Sequence, residues 1–454
     1  MTLIGLTIVA LPTPWGWIGL AVASAGALLC PRIMWQNTAA VLRRPVAWLW
    51  VAWWLLIAAS IAWSPDLSLS HWQSLLMLLL IPAVASLRAH RNAVVLAIAI
   101  GLSINVCVQV LQWGDVLQSE RRRSWAPITP GLFDYPPFSG IWTATVLLLL
   151  LPLLSKASTL IRALPLLMLC GACLIGGLLA SSRVSLLAGG IGVLLIGSVL
   201  VCRRPTPWGR AAVSSVIAAT IAIALWQSLH QGTLVHNRFQ SLSRAIAAAT
   251  TAPQQPATKV TEQKTLDPTS QQAKGPPSTP TPASELPTTQ RIPSRKQYTR
   301  MQTSFGLRVL WWNATGDIVM EAPILGHGAG STRDQLARAE RNLPPDLGAG
   351  IDNFIIEDPH SSLLATAIEQ GLLGVGLLLT CICTALWMSL RATLRDVRYI
   401  GLTGAWCMLC AGALVHTLQF SPWMTALGTV MIVLTGSVPP KTPASLSTDD
   451  TTQI

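Results

Sequence analysis

Apolar residues fall in long blocks separated by short polar stretches, and this pattern predicts membrane-spanning helices, since a bilayer core needs about 20 such residues per crossing. Twelve spans are predicted, at 2–12, 15–30, 46–63, 70–87, 92–112, 138–155, 161–179, 184–201, 211–230, 360–388, 399–418 and 422–438. The first two are short and also read as one broken helix. The chain divides accordingly into nine spans over 1–230, a long polar segment over 231–359, three spans over 360–438 and a tail at 439–454. The fold class is an all-α polytopic membrane protein.

Composition agrees with this pattern. Of 454 residues, 51% are hydrophobic and 11% charged, and the mean hydropathy is +0.51. A soluble domain carries about 25% charged residues. Several of the 19 tryptophans, among them Trp63, Trp72, Trp113 and Trp423, stand at segment ends as interfacial anchors do. Residues 1–30 lack a basic leader, so no cleaved signal peptide is expected. All nine cysteines lie in or beside apolar blocks, which predicts packing roles and neither disulfides nor zinc.

Charge then assigns sides. Alternate loops carry Arg32, Arg43 and Arg44; Arg88 and Arg91; Lys156 and Arg162; Arg203, Arg204 and Arg210; and Arg391, Arg395 and Arg398, while the loops at 64–69 and 417–421 carry no Lys or Arg. Positive residues in short loops mark the cytoplasmic side. Both termini are therefore expected in the cytoplasm and residues 231–359 outside. Two outward features break the rule: the triplet Arg121, Arg122, Arg123, and Arg183 in "ASSRVSLLAGG". The triplet reads as solvated loop charge or as an anion site. Arg183 is the stronger candidate, because charge at membrane depth is costly and usually functional and a guanidinium fork suits phosphate.

Within the outer segment, residues 251–300 hold nine prolines and ten threonines and predict a disordered insert. Before it, Val235, Phe239, Leu242, Ile246 and Ala249 form the apolar stripe of an amphipathic surface helix. After it, "TSFGLRVLWWNATGDIVMEAP" predicts a helix closed by Pro323, with Leu307, Trp311, Ala314 and Ile318 on one face and Arg308 and Trp312 on an adjacent one. "PILGHGAGS" follows, its Gly326, Gly328 and Gly330 allowing close backbone approach either to a ligand or in a bare turn. A short charged helix at about 331–341 and a Pro/Gly/acid-rich loop then lead to His360.

His360 begins the tenth span. Asp358 reads as its N-cap, with Pro359 at the first helical position and His360 in the first turn. There the positive end of the helix dipole favours a neutral imidazole, the form a general base requires, and attracts phosphate. The alternative is an interfacial packing histidine, the reading given to His71, His90 and His416. His327 is a secondary candidate.

Four stretches carry a resemblance to the O-antigen ligase family, within the group that includes O-antigen polymerases and protein O-oligosaccharyltransferases. They are "GLFDYPPFSGIWTATVLLLLLPL", "SSRVSLLAGG", "GLRVLWWNATGDIVMEAPILGHGAGS" and "DPHSSLLATAIEQGLLGVGLLL". Many members have Asn-Pro-His-Asn where this chain has Asp358, Pro359, His360 and Ser361, and the Pro/Thr insert is not a family hallmark. The resemblance implies a GT-C-like glycosyltransferase architecture in the bacterial inner membrane. It also implies transfer of a glycan from undecaprenyl pyrophosphate to a sugar hydroxyl of lipid A–core oligosaccharide at the periplasmic face. In that reading His360 is the base. Arg183 and Arg308 hold the pyrophosphate, Arg121, Arg122 and Arg123 gather lipid phosphates, and Trp312, Gly326, Gly328 and Asp358 support the site.

No cofactor or nucleic-acid partner is expected. No metal is expected either, because the only acid well inside a span is Glu369, about half a revolution from His360 on a straight helix. Glu369 is read as a packing residue. The nearest rivals are a polymerase or a protein O-oligosaccharyltransferase, and the chain's end soon after its last span mildly favours a ligase or polymerase. A transporter is the rival from another class, but the sequence has no internal repeat and its polar chemistry clusters at one face.

Overall fold

In a computed structural model the structure describes residues 1–11, 15–64, 69–114, 116, 132–133, 135–180, 182–203, 206–229, 312, 315–341, 359–418 and 421–439. All regular elements among these are helical. They are α1 (Thr2–Val9), α2 (Trp15–Leu28), α3 (Pro31–Leu42), α4 (Pro45–Ser60), α5 (Leu69–Leu76), α6 (Leu80–Ser86), α7 (Arg91–Trp113), α8 (Pro136–Leu154), α9 (Leu160–Ala180), α10 (Arg183–Cys202), α11 (Pro207–Leu229), α12 (315–321), α13 (Thr332–Arg341), α14 (Ser362–Arg395), α15 (Ile400–Val415) and α16 (Pro422–Gly436). The predicted amphipathic helix at 235–249 and the insert at 251–300 lie outside the described residues.

Eight helices among the described residues are long and apolar enough to cross a membrane, or nine if a bent pair counts as one span. Of the twelve predicted spans, those at 2–12, 15–30, 70–87 and 422–438 fall on shorter helices than these eight. α1 and α2 are short and pack on each other through small residues: a side chain on Gly5 would strike the backbone of Ala23, and one on Gly19 that of Val9. From the sequence, the stretch carrying Arg32, Arg43 and Arg44 is expected to be a loop, but most of it is α3. It is a helix with Pro31 at its first turn, bent 106° from α2. The predicted span at 70–87 is α5, a 3₁₀ turn (Met77–Leu79) and α6, and α16 has only 15 residues.

α8 is the central helix, packed against α7, α9, α10 and α15. It is apolar all round, with Trp142, Leu148 and Leu150 fully buried, as a helix surrounded by other helices must be. Trp423 also belongs to the core. It is 2% exposed and its ring lies 5.4 Å from that of Trp17, so it does not serve as an interfacial anchor, whereas Trp63, Trp72 and Trp113 are exposed.

The basic loops gather at one end of the bundle. Arg44 donates to the carbonyl of Val438 at 3.1 Å, Arg91 covers the ring of Tyr399 at 4.2 Å, and Arg398 pairs with Asp396. Partial burial, and after it the nearby Arg398 guanidinium, lowers the pKa of Lys156. His360 stands at the other end, as the alternation of loops requires.

Candidate functional site

Three helix starts meet at the end away from the basic loops. α8 begins at Pro136, with Tyr135 ahead of it. α10 begins at Arg183, and its cap residues pack on α8: a side chain on Gly140 would lie 2.7 Å from Ser182 Cβ. α14 begins at Ser362, whose hydroxyl donates to the carbonyl of His416 at 2.9 Å and accepts from the Leu418 amide at 2.8 Å. The His416 ring stands edge-on to Tyr135, centroids 5.7 Å apart. Behind Tyr135, Asn105 and Gln109 both reach the hydroxyl of Ser139, and all three are fully buried. Polar side chains this deep in an apolar bundle are costly and mark function.

His360 precedes α14 and is not part of its first turn. The cap is Ser361, and His360 has φ 52, the one non-glycine residue with positive φ among those described. The sequence reading missed this because Pro359 mimics the first residue of a helix. A histidine in the left-handed region costs about 1–2 kcal/mol, and such strain concentrates at active sites.

Ser362 sits where it does because α14 is not straight. α14 and α15 are antiparallel about a turn at 396–399, so Val415 faces a residue near 380. A straight α14 would carry Ser362 roughly 27 Å past that level, yet Ser362 is bonded to His416 and Leu418. The chain reverses at Gly371, whose φ 64 and ψ −163 fall in a region essentially confined to glycine. Residues 362–370 fold back as a re-entrant helix, and Thr366 Cγ2 lies 3.0 Å from where a Gly374 side chain would start. Gly371 inside the predicted span was the available signal.

The break is filled by the glycine turn. Leu372 and Leu373 amides donate to the carbonyls of Pro323 and Ile324 at 2.8 and 3.2 Å, and His327 and Gly328 amides donate to those of Ile368 and Glu369 at 2.8 and 2.9 Å. A side chain on Gly326 would lie 2.5 Å from the Glu369 carbonyl carbon, and one on Gly328 would lie 2.7 Å from Ser64 Cα. The close approach these glycines permit is thus to protein backbone. His327 Nε2 lies 3.0 Å from the Ile318 carbonyl, a structural contact. Glu369, 1% exposed, accepts from Thr332 Oγ1 at 2.8 Å, and Ile318, Leu336 and Ile368 form a small core beside it.

Of the other predicted site residues, Trp312 is partly exposed and Arg183 is the first residue of α10. Arg121, Arg122, Arg123, Arg308 and Asp358 lie outside the described residues. Ser362 also lines a small apolar groove of about 70 Å³ between α4, α14, α15 and α16, walled by Trp50, Trp53, Trp54, Leu378, Trp406 and Met424.

A family model described as O-antigen ligase matches residues 166–379, from within α9 to past the Gly371 break. Across that stretch the chain is similar to the O-antigen ligase family. The matched region includes Arg183, Arg308, Trp312, Gly326, Gly328, Asp358 and His360 and leaves out the Arg121–Arg123 triplet. The match points to activity of the O-antigen ligase or polymerase type in a multi-pass membrane protein, on polysaccharide and lipid substrates in general. No curated protein matches the chain.

Proposed function

We propose that this protein transfers an O-antigen glycan from undecaprenyl pyrophosphate to a sugar hydroxyl of lipid A–core oligosaccharide, at the periplasmic face of the bacterial inner membrane. The observation that carries this reading is the placement of His360: strained, half-buried, and set where the starts of α8, α10 and α14 converge above an apolar groove.

In the proposed reaction His360 takes the proton of the acceptor hydroxyl as that oxygen attacks the anomeric carbon. The bond from carbon to oxygen forms while the bond from the same carbon to the pyrophosphate oxygen breaks, so one displacement inverts the anomeric centre. Arg183 and Arg308 hold the pyrophosphate and stabilise the charge that develops on it as it leaves. Three helix N-termini pointing into one region favour the same anion. The groove is apolar and suits the polyprenyl tail. Arg121, Arg122 and Arg123 gather phosphorylated headgroups. The reaction uses no metal, and both termini are cytoplasmic.

The test is a reconstitution of purified protein with lipid-linked glycan and lipid A–core, with and without chelator. Glycan-bearing lipid A–core in both arms is the expected product. Lengthening of the glycan on its own carrier would make the protein a polymerase, and loss of product with chelator would overturn metal independence.

A further inference from the structure

Three cations meet at the basic end of the bundle although they come from separate stretches of the chain. Arg91 is the first residue of α7. Lys156 lies two residues beyond the end of α8. Arg398 belongs to the turn at 397–399 that links α14 to α15. That turn reaches the end of α8 because Gly401, at the start of α15, rests on it: a side chain there would strike the Leu148 carbonyl and Pro152. Arg91 joins the group through Tyr399, its guanidinium lying 4.2 Å over the ring.

Among the described residues one carboxylate answers these cations. Asp396 accepts from the Arg398 amide at 2.9 Å and pairs with its guanidinium. That pair cancels itself and leaves the charges of Arg91 and Lys156. Burial first, and then the Arg398 guanidinium, lower the pKa of Lys156, with Arg91 acting in the same sense and Asp396 opposing. The local potential is therefore more positive than Asp396 can neutralise. The N-terminal ends of α7 and α15, at Arg91 and Ile400, add to it.

The surroundings set this cluster at headgroup level. Leu394, just before the turn, is 79% exposed, so in a chain that spans a membrane it meets hydrocarbon. Trp387 is also exposed and carries the Arg391 guanidinium 4.3 Å over its ring, as an aromatic and a cation do at a membrane interface. Lys156 and Arg398 are exposed and open to a ligand.

We infer that Arg91, Lys156 and Arg398 form a site for the headgroup phosphate of an anionic phospholipid, whose acyl chains lie along the exposed apolar side chains at the end of α14. Guanidinium forks suit phosphate oxygens, and basic pockets between spanning helices bind anionic headgroups. A free phosphate would satisfy the cations but leave Leu394 bare, so the apolar face beside the charges favours an occupant with a tail. The inference needs only a chain that spans a membrane and is independent of the transfer chemistry proposed above.

The experiment uses the full-length protein purified in a neutral detergent. Bound phosphatidylglycerol is counted by native mass spectrometry as lipid is titrated in, with phosphatidylcholine as the zwitterionic comparison. Wild type is expected to bind phosphatidylglycerol at least about fivefold more tightly than phosphatidylcholine. Arg91→Gln and Lys156→Gln are each expected to weaken that binding about fivefold, the size of one cation's contribution near a lipid surface. Lys156 is exposed, so its variant reads the site even where loss of the Arg91–Tyr399 contact unfolds the other. Lys156→Arg keeps the charge and is expected to bind as the parent does. Arg391→Gln removes a cation of the same end outside the cluster and is expected to stay within about twofold of the parent.

Phosphatidylglycerol retained against excess inorganic phosphate, and lost in the cluster variants alone, upholds the inference. Displacement by inorganic phosphate would make this a site for a free anion and overturn it. Equal binding of the two lipids, or an equal loss in Arg391→Gln and Lys156→Gln, would overturn it as well.

Discussion

The hydroxyl of Ser362 bridges the carbonyl of His416 and the amide of Leu418, and this bridge fixes the start of α14 at the level where α15 ends. Ser362→Ala removes a buried donor and acceptor together, at a cost of about 1–3 kcal/mol. The expected result is a lower Tm in detergent and a transfer rate reduced by roughly tenfold. A thermal melt and an initial-rate assay check it, and full activity would mean that the bridge does not position the histidine.

His360 offers a way to separate conformation from chemistry. Asparagine tolerates the left-handed region better than most residues, so His360→Asn should fold as the parent does. It should nevertheless abolish O-antigen on lipopolysaccharide gels, a loss of about 10²–10⁴ in rate. A normal ladder from this variant would exclude the imidazole as base.

Arg183→Lys keeps the charge and loses the fork. We expect at least a tenfold loss of kcat/KM for lipid-linked glycan, in the range of a lost charged hydrogen bond, about 1.5–3 kcal/mol. Unchanged kinetics would place the pyrophosphate elsewhere.

Gly371 tolerates no side chain. At φ 64 and ψ −163, with the backbone of Ile324 against it, Gly371→Ala should destabilise by roughly 2–4 kcal/mol. Limited proteolysis is expected to open new cuts within 315–341 that the parent lacks, because those residues are held by the break. Wild-type resistance there would show that the turn docks without the reversal.

Sidedness has its own test. Cysteines introduced at the exposed Arg333 and near the exposed Lys156 should react with an impermeant reagent from opposite faces of spheroplasts and inverted vesicles. Labelling of both from one face would overturn the assigned topology.

Much of this was legible in the sequence. The spans that became α7 to α11 and α15 announce themselves because each is a long apolar run with charge only at its ends. The helix expected at about 331–341 is α13. Pairings between distant segments were less legible. α1 and α2 are recognised by close backbone contact at Gly5 and Gly19, which hydropathy does not report. Trp423 reads as an anchor until its stacking partner Trp17 is known. The half-revolution that separates Glu369 from His360 assumed a straight helix, and Gly371 removes that assumption. The fold-back needs a receiving turn 45 residues earlier in the chain, and no local pattern encodes such a partner.

That spacing also constrains how the protein can vary. Both halves of the interlocked turn lie C-terminal to the Pro/Thr-rich stretch at 251–300, so the ring closed between Pro323 and Leu372 has the same circumference whatever the length of that stretch. Lengthening or deleting residues 251–300 leaves the entropy of closing the ring untouched, whereas each residue added between 342 and 358 enlarges it. Length changes at 251–300 therefore leave this closure alone, whereas those at 342–358 enter it, at a cost that grows only with the logarithm of the ring's length.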